Sequence, residues 1–400
     1  MNPVEARIRS SMGIPAGAVG VDLTLPRISG EWFYVDPELG VDTQSGSINA
    51  PVKTLQAAYD LCTDGAGDGV CFFSRVTAGT TSSSPLYKKL TWAKYGITVF
   101  GVGAPIRMAQ RARIVATVVS SSPTASTVTC TASVITRSTG SFVTDGWIVG
   151  MTGTLACSGG TANTNQAATI AVTAVTASTL TVSDTLTAQT AAECTTWVIT
   201  SSMATMIDVS GGNNTFINLH MTHMLTGSAL NLTTLKVSGE RNAFINVHAA
   251  HGLATAATVL TRALWLTGDE NTFRGCVFGT DTVNRGNNAT YDILISGTVK
   301  RNRFIDCETN AYASTGVAKM AVYFSGTVGG SPTMFDNCRF MCNNVTEMTA
   351  ALGGTGSNDK IFLTGGTCHP GYAALGLGTV AYISGANIAA GVGGKLTTTA

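Results

Sequence analysis

A triplet made of an apolar residue, a hydroxyl residue and glycine recurs through the second half of this chain at almost constant spacing. The five copies are Val209-Ser210-Gly211, Val237-Ser238-Gly239, Leu266-Thr267-Gly268, Ile295-Ser296-Gly297 and Phe324-Ser325-Gly326. Their central residues lie 28, 29, 29 and 29 positions apart. A unit of this length cannot bury a core of its own, so neighbouring units must stack. We interpret Leu363-Thr364-Gly365 and Ile383-Ser384-Gly385 as two later copies that are out of step.

A second signature, centred on a phenylalanine, follows each triplet. Its copies are Asn214-Thr215-Phe216-Ile217-Asn218-Leu219, Asn242-Ala243-Phe244-Ile245-Asn246-Val247, Asn271-Thr272-Phe273-Arg274-Gly275-Cys276, Asn302-Arg303-Phe304-Ile305-Asp306-Cys307 and Thr333-Met334-Phe335-Asp336-Asn337-Cys338. The second position after each Phe holds Asn, Gly or Asp, the residue types that tolerate a left-handed backbone. This column predicts a sharp bend between two short strands. The apolar columns on either side of the bend are expected to point inward and stack from coil to coil.

Short β-rich runs ended by Gly and Asn are typical of strands. No copy contains the run of at least about ten residues with helical periodicity that a helix needs. Three short strands per repeat, stacked in register about 4.8 Å apart, make a right-handed parallel β-helix. The predicted fold class is therefore all-β.

Charge is scarce along the chain, since Asp, Glu, Lys and Arg make up 12% of the 400 residues against about 25% in an average globular protein. The formal net charge is +1 and no basic block occurs, which argues against nucleic acid and anionic membranes as partners. The sequence shows neither a signal-peptide pattern nor an apolar run long enough to span a membrane. So little charge predicts that much of the surface is covered by other subunits.

Three of the ten cysteines, Cys276, Cys307 and Cys338, fall in one inward column at intervals of 31 residues. We interpret them as small apolar residues in a reduced compartment, because disulfides along a stack of coils are geometrically awkward. The sequence leaves open whether Cys62 pairs with Cys71 and whether Cys157 pairs with Cys194.

Residues 1–30 differ in character from the rest of the chain. Asn2-Pro3-Val4-Glu5 carries the signals of a helix start, and it predicts a short helix to about Ser11, followed by an extended stretch rich in Gly and Pro. Such a segment cannot form its own core. It is either a flexible leader or an arm that docks on a partner, and we favour the docking arm. If the arm docks through charge, Arg7 and Arg9 are its expected contacts.

Residues 31–112 are expected to form the first part of the β-helix together with a capping helix. The helix is predicted over residues 51–62, and its apolar face consists of Val52, Leu55, Ala58, Tyr59 and Cys62. A helix laid across the first coil covers both the apolar interior and the free strand edges of the stack.

The segment GVDTQSGSINAPVKTLQAAYDLC and the later coils of the type VSG–N–F–N resemble the pectate-lyase-like right-handed parallel β-helix superfamily, especially its bacteriophage virion branch. The resemblance covers about 31–112 and 202–385. It implies the β-helix fold. It singles out no activity, because the superfamily includes lyases, glycosidases, phage tailspikes and structural proteins without an activity.

Residues 113–201 interrupt the repeat. Strand-like runs occur at Ala112–Ser120, Ser126–Ile135, Trp147–Leu155, Ala168–Val175, Thr179–Ser183 and Thr196–Thr200. The segment resembles a small β-barrel module of phage structural proteins, and we expect it to be inserted between early coils. Residues 202–400 hold the main coils and a C-terminal tail. The complete prediction is a right-handed parallel β-helix with an N-terminal arm, a capping helix and an inserted small β-barrel domain.

Polysaccharide cleavage would need two acids about 5–10 Å apart. The candidates among the 23 acidic residues are Asp269, Glu270, Asp306, Glu308 and Asp336. Asp306 falls in the bend column, Asp269 and Glu270 fall in the preceding turn, and Glu308 is placed to form a surface ion pair with Arg339 one coil away. We therefore predict no catalytic residue.

Four of the five histidines occupy equivalent places in adjacent coils, in His220-Met221-Thr222-His223 and His248-Ala249-Ala250-His251. Imidazoles one strand apart can share a metal ion. Residues three apart in a strand face opposite sides, however, so the four side chains do not converge. We predict neither a metal site nor a cofactor, and pH sensitivity of a stacked pair stays open.

These features predict a structural protein of a bacteriophage particle. The leading hypothesis is a capsid decoration or cement protein, a homotrimer made in the host cytoplasm and carried on the outer surface of the capsid. Its arm would dock on the major capsid protein and stabilise the shell. One alternative is a tailspike or fibre that cleaves polysaccharide, which predicts acids and aromatics clustered on an outward face. The other is a non-catalytic module that binds a host-surface glycan, which exposed aromatics around Trp147 would support.

Overall fold

The computed structural model describes residues 28–73, 76–77, 80–81, 83–102, 112–122, 128–158, 165, 168–190, 196–223, 232–251, 261–282, 290–313, 320–325, 333–344, 348, 350–354, 361–369, 372, 382–384 and 387–388. The predicted arm, up to position 27, and the end of the predicted tail lie outside these residues. The chain forms two compact units. The first comprises Met1–Leu86, Leu90–Val115 and Thr205–Ala400, and the second comprises Tyr87–Lys89 and Ala116–Ala204.

The first unit is a right-handed parallel β-helix of about seven turns, which confirms the predicted fold class. Each main coil contributes three strands, one to each of three parallel sheets. Sheet 1 runs in the order β1 (Trp32–Val35), β2 (Gly69–Phe73), β7 (Thr98–Val102), β17 (Thr215–Ile217), β20 (Ala243–Ile245), β23 (Thr272–Arg274), β26 (Arg303–Ile305), β29 (Thr333–Asp336), β32 (Ile361–Thr364) and β34 (Tyr382–Ser384).

Sheet 2 runs in the order β5 (Ser83–Leu86), β8 (Ala112–Ala116), β18 (Leu219–His223), β21 (His248–His251), β24 (Val277–Thr280), β27 (Glu308–Ala313), β30 (Arg339–Asn344), β33 (Thr367–Cys368) and β35 (Asn387–Ile388). Sheet 3 runs in the order β6 (Leu90–Trp92), β16 (Thr205–Val209), β19 (Thr233–Val237), β22 (Thr261–Leu266), β25 (Thr290–Ser296), β28 (Met320–Ser325) and β31 (Ala350–Gly354). A separate antiparallel hairpin joins β3 (Val76–Thr77) and β4 (Thr80–Thr81).

The predicted phenylalanine column forms a continuous stack inside the β-helix. The rings of Phe216, Phe244, Phe273, Phe304 and Phe335 are stacked at successive centroid distances of 4.9, 4.9, 4.7 and 4.7 Å. The predicted bend column is also confirmed, because Asn218, Asn246, Gly275, Asp306 and Asn337 all have φ between 50° and 63°. A second left-handed column, which the sequence did not reveal, holds Asn213, Arg241, Glu270 and Arg301 with φ between 54° and 59°.

The two out-of-step triplets belong to a different column from the one predicted. Leu363 pairs with Phe335, and Ile383 pairs with Leu363, so both residues continue the phenylalanine column of sheet 1. Interpreting them as late copies of the sheet 3 triplet was therefore wrong. An apolar-hydroxyl-glycine triplet suits both places, because Gly365 adopts φ +61° after sheet 1, where the earlier coils use Asn, Gly or Asp.

The triplet needs glycine because the backbones of successive coils approach each other closely at this position. A Cβ on Gly239 or Gly268 would lie 2.0 Å from the carbonyl oxygen of the matching glycine in the preceding coil. Next to them, Asn242, Asn271 and Asn302 form a buried ladder. Each side-chain Nδ2 donates to the preceding coil's glycine oxygen at 3.0 Å. The Oδ1 atoms of Asn271 and Asn302 accept the backbone N–H of Asn242 and Asn271 at 2.9 and 2.8 Å.

The capping helix α1 (Leu55–Leu61) buries its predicted apolar face, but it begins later than predicted. Thr54 is its N-cap, since its side chain accepts the N–H of Ala57 at 3.2 Å. The preceding Val52 instead forms a β-bridge with Val35. The ring of Tyr59 packs 4.6 Å from that of Trp92, which lies 5.2 Å from the first ring of the phenylalanine stack.

The second unit is a seven-stranded antiparallel sheet with a short helix, α2 (Phe142–Asp145), that the sequence did not predict. The strands lie in the order β10 (Val128–Cys130), β11 (Val134–Arg137), β14 (Thr179–Val182), β13 (Ala168–Val175), β12 (Thr152–Ser158), β15 (Thr196–Ser202) and β9 (Ser120–Ser121). The run predicted over Ala112–Ser120 is divided between the two units. Ala112–Ala116 forms β8 in sheet 2, and Ser120 begins β9 in the antiparallel sheet. The unit has its own core around Phe142, Trp147 and Trp197. The inserted barrel over residues 113–201 stays a prediction.

The cysteines whose side chains the structure describes are buried free thiols. Cys62 and Cys71 are among them, so they do not pair, and Cys157 and Cys194 lie outside this set. In the inward column, the Sγ atoms of Cys276, Cys307 and Cys338 donate to backbone carbonyls one coil away at 3.3–3.4 Å.

Candidate functional site

The outer face of sheet 3 brings together aromatic and charged side chains that lie far apart in the sequence. One register row holds Asp208, Lys236, Trp265, Leu294 and Tyr323 on consecutive strands. A second row holds Thr233, Arg262, Tyr291 and Met320. Between the rows, apolar residues such as Leu235 and Leu264 point into the interior. We name Asp208, Lys236, Arg262, Trp265, Tyr291 and Tyr323 the aromatic face.

Trp265 lies at the centre of the aromatic face and is partly exposed. The guanidinium carbon of Arg262 lies 4.3 Å from its ring centroid and Nζ of Lys236 lies 5.1 Å from it, both within cation–π distance. The indole Nε1 donates to the hydroxyl of Ser296 at 2.7 Å. These contacts hold the ring in one orientation, so it forms a fixed platform.

Two tyrosines extend the platform toward the later coils. The rings of Tyr291 and Tyr323 are stacked with their centroids 4.4 Å apart, and both residues are partly exposed. Burial, followed by the neighbouring Tyr323, raises the pKa of Tyr291, so its hydroxyl stays protonated and can both donate and accept hydrogen bonds.

Arg262 is the unusual charge of this face. It is 6% exposed, and its Nε donates to the neutral hydroxyl of Thr233 at 2.8 Å. No carboxylate pairs with it among the described residues. Burial lowers its pKa to about 10, so it is still a cation at neutral pH. A desolvated cation without a counter-ion is costly, which favours a ligand that brings an acidic or strongly polar group.

Asp208 is the one carboxylate on the outward rows of the described strands of sheet 3. Its Oδ2 lies 3.3 Å from Nζ of Lys236, and its Oδ1 accepts the hydroxyl of Ser238 at 3.2 Å. A second carboxylate for acid–base hydrolysis is therefore not brought to this face by those strands.

The acids singled out in the sequence lie elsewhere. Glu308 is on the outward row of sheet 2, where its register partner is Arg339 as predicted, and the ion pair itself stays a prediction. Asp306 occupies the bend column and accepts Nδ2 of Asn337 at 2.7 Å, and Asp336 ends β29 in sheet 1. Glu270 binds Arg241 and Arg301 in an exposed ion-pair network, and Asp269 accepts the backbone N–H of Lys300 at 2.7 Å.

The four histidines divide between two faces, as the strand period predicts. His220 and His248 point outward, with rings stacked at 4.5 Å, whereas His223 and His251 face the interior. There Nε2 of His251 lies 3.5 Å from Oδ1 of Asp292, and both residues are almost fully buried. Within the described residues, no group of three or more His, Cys, Asp or Glu side chains is arranged to hold a metal ion.

The glycan-binding alternative would be supported by exposed aromatics around Trp147, and Trp147 itself is not exposed. Trp147 is 2% exposed, and its Nε1 donates to the hydroxyl of Ser121 at 2.9 Å inside the second unit. Trp147 belongs to the core of the second unit, so its ring gives that alternative no support. The aromatic face was not predicted, because its residues come from several strands that are brought together only by the strand register.

In the described part of the chain, no helix has both the length and the apolar character that crossing a bilayer requires.

No protein-family model matches the chain, and no curated protein matches it. Similar solved structures include a pectin methylesterase from carrot, at 10% identity and a TM-score of 0.43, covering 92% of this chain and 84% of that one. Others are the tailspike protein gp49 from Pseudomonas phage LKA1 (11%, TM-score 0.24, coverage 84% and 69%) and the Gp54 tailspike of Acinetobacter baumannii bacteriophage AP22 in complex with a capsular saccharide (10%, 0.18, 86% and 71%). These are parallel β-helix proteins, in line with the resemblance noted in the sequence. Likenesses of this size carry no functional argument.

Proposed function

We propose that this protein is a bacteriophage virion component that binds a glycan through the aromatic face of sheet 3. The observation that carries the proposal is the fixed, partly exposed Trp265 ring between two cations, continued by the stacked Tyr291 and Tyr323. Flat aromatic rings pack against the C–H faces of sugar rings, while nearby polar groups bind the hydroxyls. Arg262, which has no carboxylate partner among the described residues, favours a glycan that carries an acidic group.

The test is binding of the full chain to an array of bacterial surface polysaccharides, followed by calorimetry with the best binder. Trp265→Ala is expected to weaken binding by about tenfold or more, because a central aromatic contributes most of the energy of such a site. Tyr95→Ala removes a ring that is 50% exposed and lies outside the aromatic face, so it serves as the matched control and should bind like the parent. Equal affinity of all three proteins would contradict the proposal.

The same site is proposed to bind without cleaving. Asp208 is held by Lys236 and Ser238, and no second carboxylate joins it on the described strands of this face. Size-exclusion chromatography of the bound polysaccharide after prolonged incubation should give an unchanged elution profile. Suppose instead that the polysaccharide is shortened by the parent and by Trp265→Ala but not by Asp208→Asn. That result would contradict binding without cleavage and would show that the protein is a depolymerase.

The capsid decoration role is a separate proposal that concerns the N-terminal arm. It is supported by the low charge and by the Gly- and Pro-rich composition of residues 1–30. Cryo-electron microscopy of intact particles should then find homotrimers spread over the outer surface of the capsid, with the arm on the major capsid protein. The double variant with Arg7→Ala and Arg9→Ala should lower occupancy on purified capsids. A few copies confined to the tail would contradict the cement role and leave the glycan site standing.

A further inference from the structure

The outer face of sheet 2 carries an arginine and two histidines in one register row. Arg113 in β8 pairs with His220 in β18, which pairs with His248 in β21. The two imidazole rings are stacked at 4.5 Å with an interplanar angle of 9°. His220 is 7% exposed and His248 is 4% exposed, whereas Arg113 is partly exposed. Arg113 is therefore the most exposed of these three residues, although its Nε atom is buried.

The hydrogen bonds of this row leave donors without partners. Nε2 of His248 donates to the carbonyl oxygen of Gly279 at 2.9 Å, which fixes the proton of that ring on Nε2. Nε2 of His220 lies 3.0 Å from the hydroxyl of Thr222, which can donate to it and leave the His220 proton on Nδ1. Among the described residues, Nδ1 of His220 and Nε of Arg113 are buried atoms without a hydrogen-bond partner.

The charge at the β8 end of the row is positive, because Arg113 lies there and the described strands β5, β8 and β18 contain no acidic residue. Burial holds both histidines neutral, because it lowers the pKa of His220 to about 2 and lowers that of His248 as well. Asp281, the acid whose charge acts on His248, follows β24 on the side away from Arg113. Glu308 lies two strands beyond His248, about 10 Å away at the usual strand spacing.

We propose that Arg113, His220 and His248 form an oxyanion-binding site on the outer face of sheet 2, distinct from the aromatic face of sheet 3. Its ligand is a phosphate or carboxylate group, bound by the guanidinium fork and by the Nδ1–H of His220. A buried donor without a partner is costly, and an anion at this point would satisfy two such donors at once. This site is independent of the proposed glycan binding.

The test is a titration of the full-length protein, labelled with ¹⁵N, with inorganic phosphate and separately with acetate, using sodium chloride at matched ionic strength as the reference. The imidazole signals of His220 should shift in a saturable way with phosphate, with acetate or with both, and the active ion identifies the group that is bound. Chloride should produce no saturable shift. Absence of saturation with both oxyanions would overturn the proposal.

Three variants separate binding from folding. Arg113→Gln should weaken the oxyanion affinity by about tenfold or more, because it removes the cation of the proposed site. His220→Phe keeps a ring stacked on His248 but removes Nδ1, so it should also weaken oxyanion binding. In this variant binding is measured from the imidazole signals of His248. Arg303→Gln removes an exposed arginine of sheet 1 and should leave the affinity unchanged. If Arg113→Gln does not fold, Arg113→Lys keeps the charge without the fork. Parental affinity in both His220→Phe and the folded Arg113 variant would refute the site.

Discussion

Asn242, Asn271 and Asn302 perform one task in successive coils. Each side chain supplies a donor to the glycine carbonyl of the coil before it, and those of Asn271 and Asn302 also accept the backbone N–H of the preceding asparagine. Buried backbone groups that lack a partner are costly, so the ladder matters most where the chain turns and sheet hydrogen bonds are absent. Apolar stacking alone cannot satisfy those groups.

Asn271→Ala should therefore destabilise the β-helix unit by about 2–6 kcal/mol, because it leaves the N–H of Asn242 and the carbonyl of Gly239 without partners. Thr272→Ala, one residue later on the outer side of β23, is the control and should cost less than about 1 kcal/mol. Guanidinium denaturation of the two variants beside the parent measures the difference. Equal midpoints for Asn271→Ala and Thr272→Ala would show that the ladder is energetically neutral.

The asparagine column was visible in the sequence, yet its role was not predicted. The bend column could be predicted because Asn, Asp and Gly share a backbone preference that does not depend on neighbours. The buried amides of Asn242 and Asn271 needed the coil stacking to be known first, since each is defined by a glycine about 30 residues earlier. The second left-handed column, which includes Arg241 and Glu270, runs against residue preference and gave no signal.

At the level of strands and sheets, register decides what the sequence can reveal. Stacked columns of one residue type, such as phenylalanine, are recognisable from spacing alone. The aromatic face instead combines different residue types on two rows, and Trp265 meets Lys236 only through strand pairing. The triplet Leu363-Thr364-Gly365 was misassigned for a related reason, because two sheets use the same residue pattern before a tight turn.

The stacked histidines of sheet 2 predict a dependence of stability on pH. The folded coil holds His220 neutral down to about pH 2, whereas the unfolded chain takes up the proton near the ordinary value of about 6.5. The free energy of unfolding is therefore highest above that value and falls as the pH decreases below it, by about 2 kcal/mol for one histidine between pH 7 and pH 5.

His220→Phe should flatten this pH dependence by about that amount, because the phenyl ring keeps the stack and cannot be protonated. Denaturation curves of parent and variant at pH 5, 6 and 7 provide the measurement. If the free energy of unfolding of the two proteins changes in parallel with pH, His220 takes up its proton in the folded state over the same pH range as in the unfolded chain.

On the scale of the whole molecule, the chain contains two compact units with separate cores, the phenylalanine stack of the β-helix and the cluster around Trp147 and Trp197. Separate cores predict separate stabilities, because local unfolding follows the contacts within a cooperative unit. The composition shift at residues 113–201 was the sequence signal for this division, although the short helix α2 and the burial of Trp147 were missed.

Trp147→Ala should lower amide-exchange protection in the strands of the second unit, by about 3–5 kcal/mol, and leave the coils of the β-helix protected. Phe273→Ala should have the reverse pattern, since its ring lies in the middle of the stack. Hydrogen exchange followed by mass spectrometry resolves the two units. If either variant loosens both units equally, the chain unfolds as one body.

The central claim, that a glycan binds on the aromatic face, is tested most directly by a structure of the protein with an oligosaccharide from its best polysaccharide binder. The account predicts sugar rings packed on Trp265 and Tyr323, with a polar or acidic group at the terminal nitrogens of Arg262. Sugar density on another surface, with Trp265 and Tyr323 untouched, would contradict it.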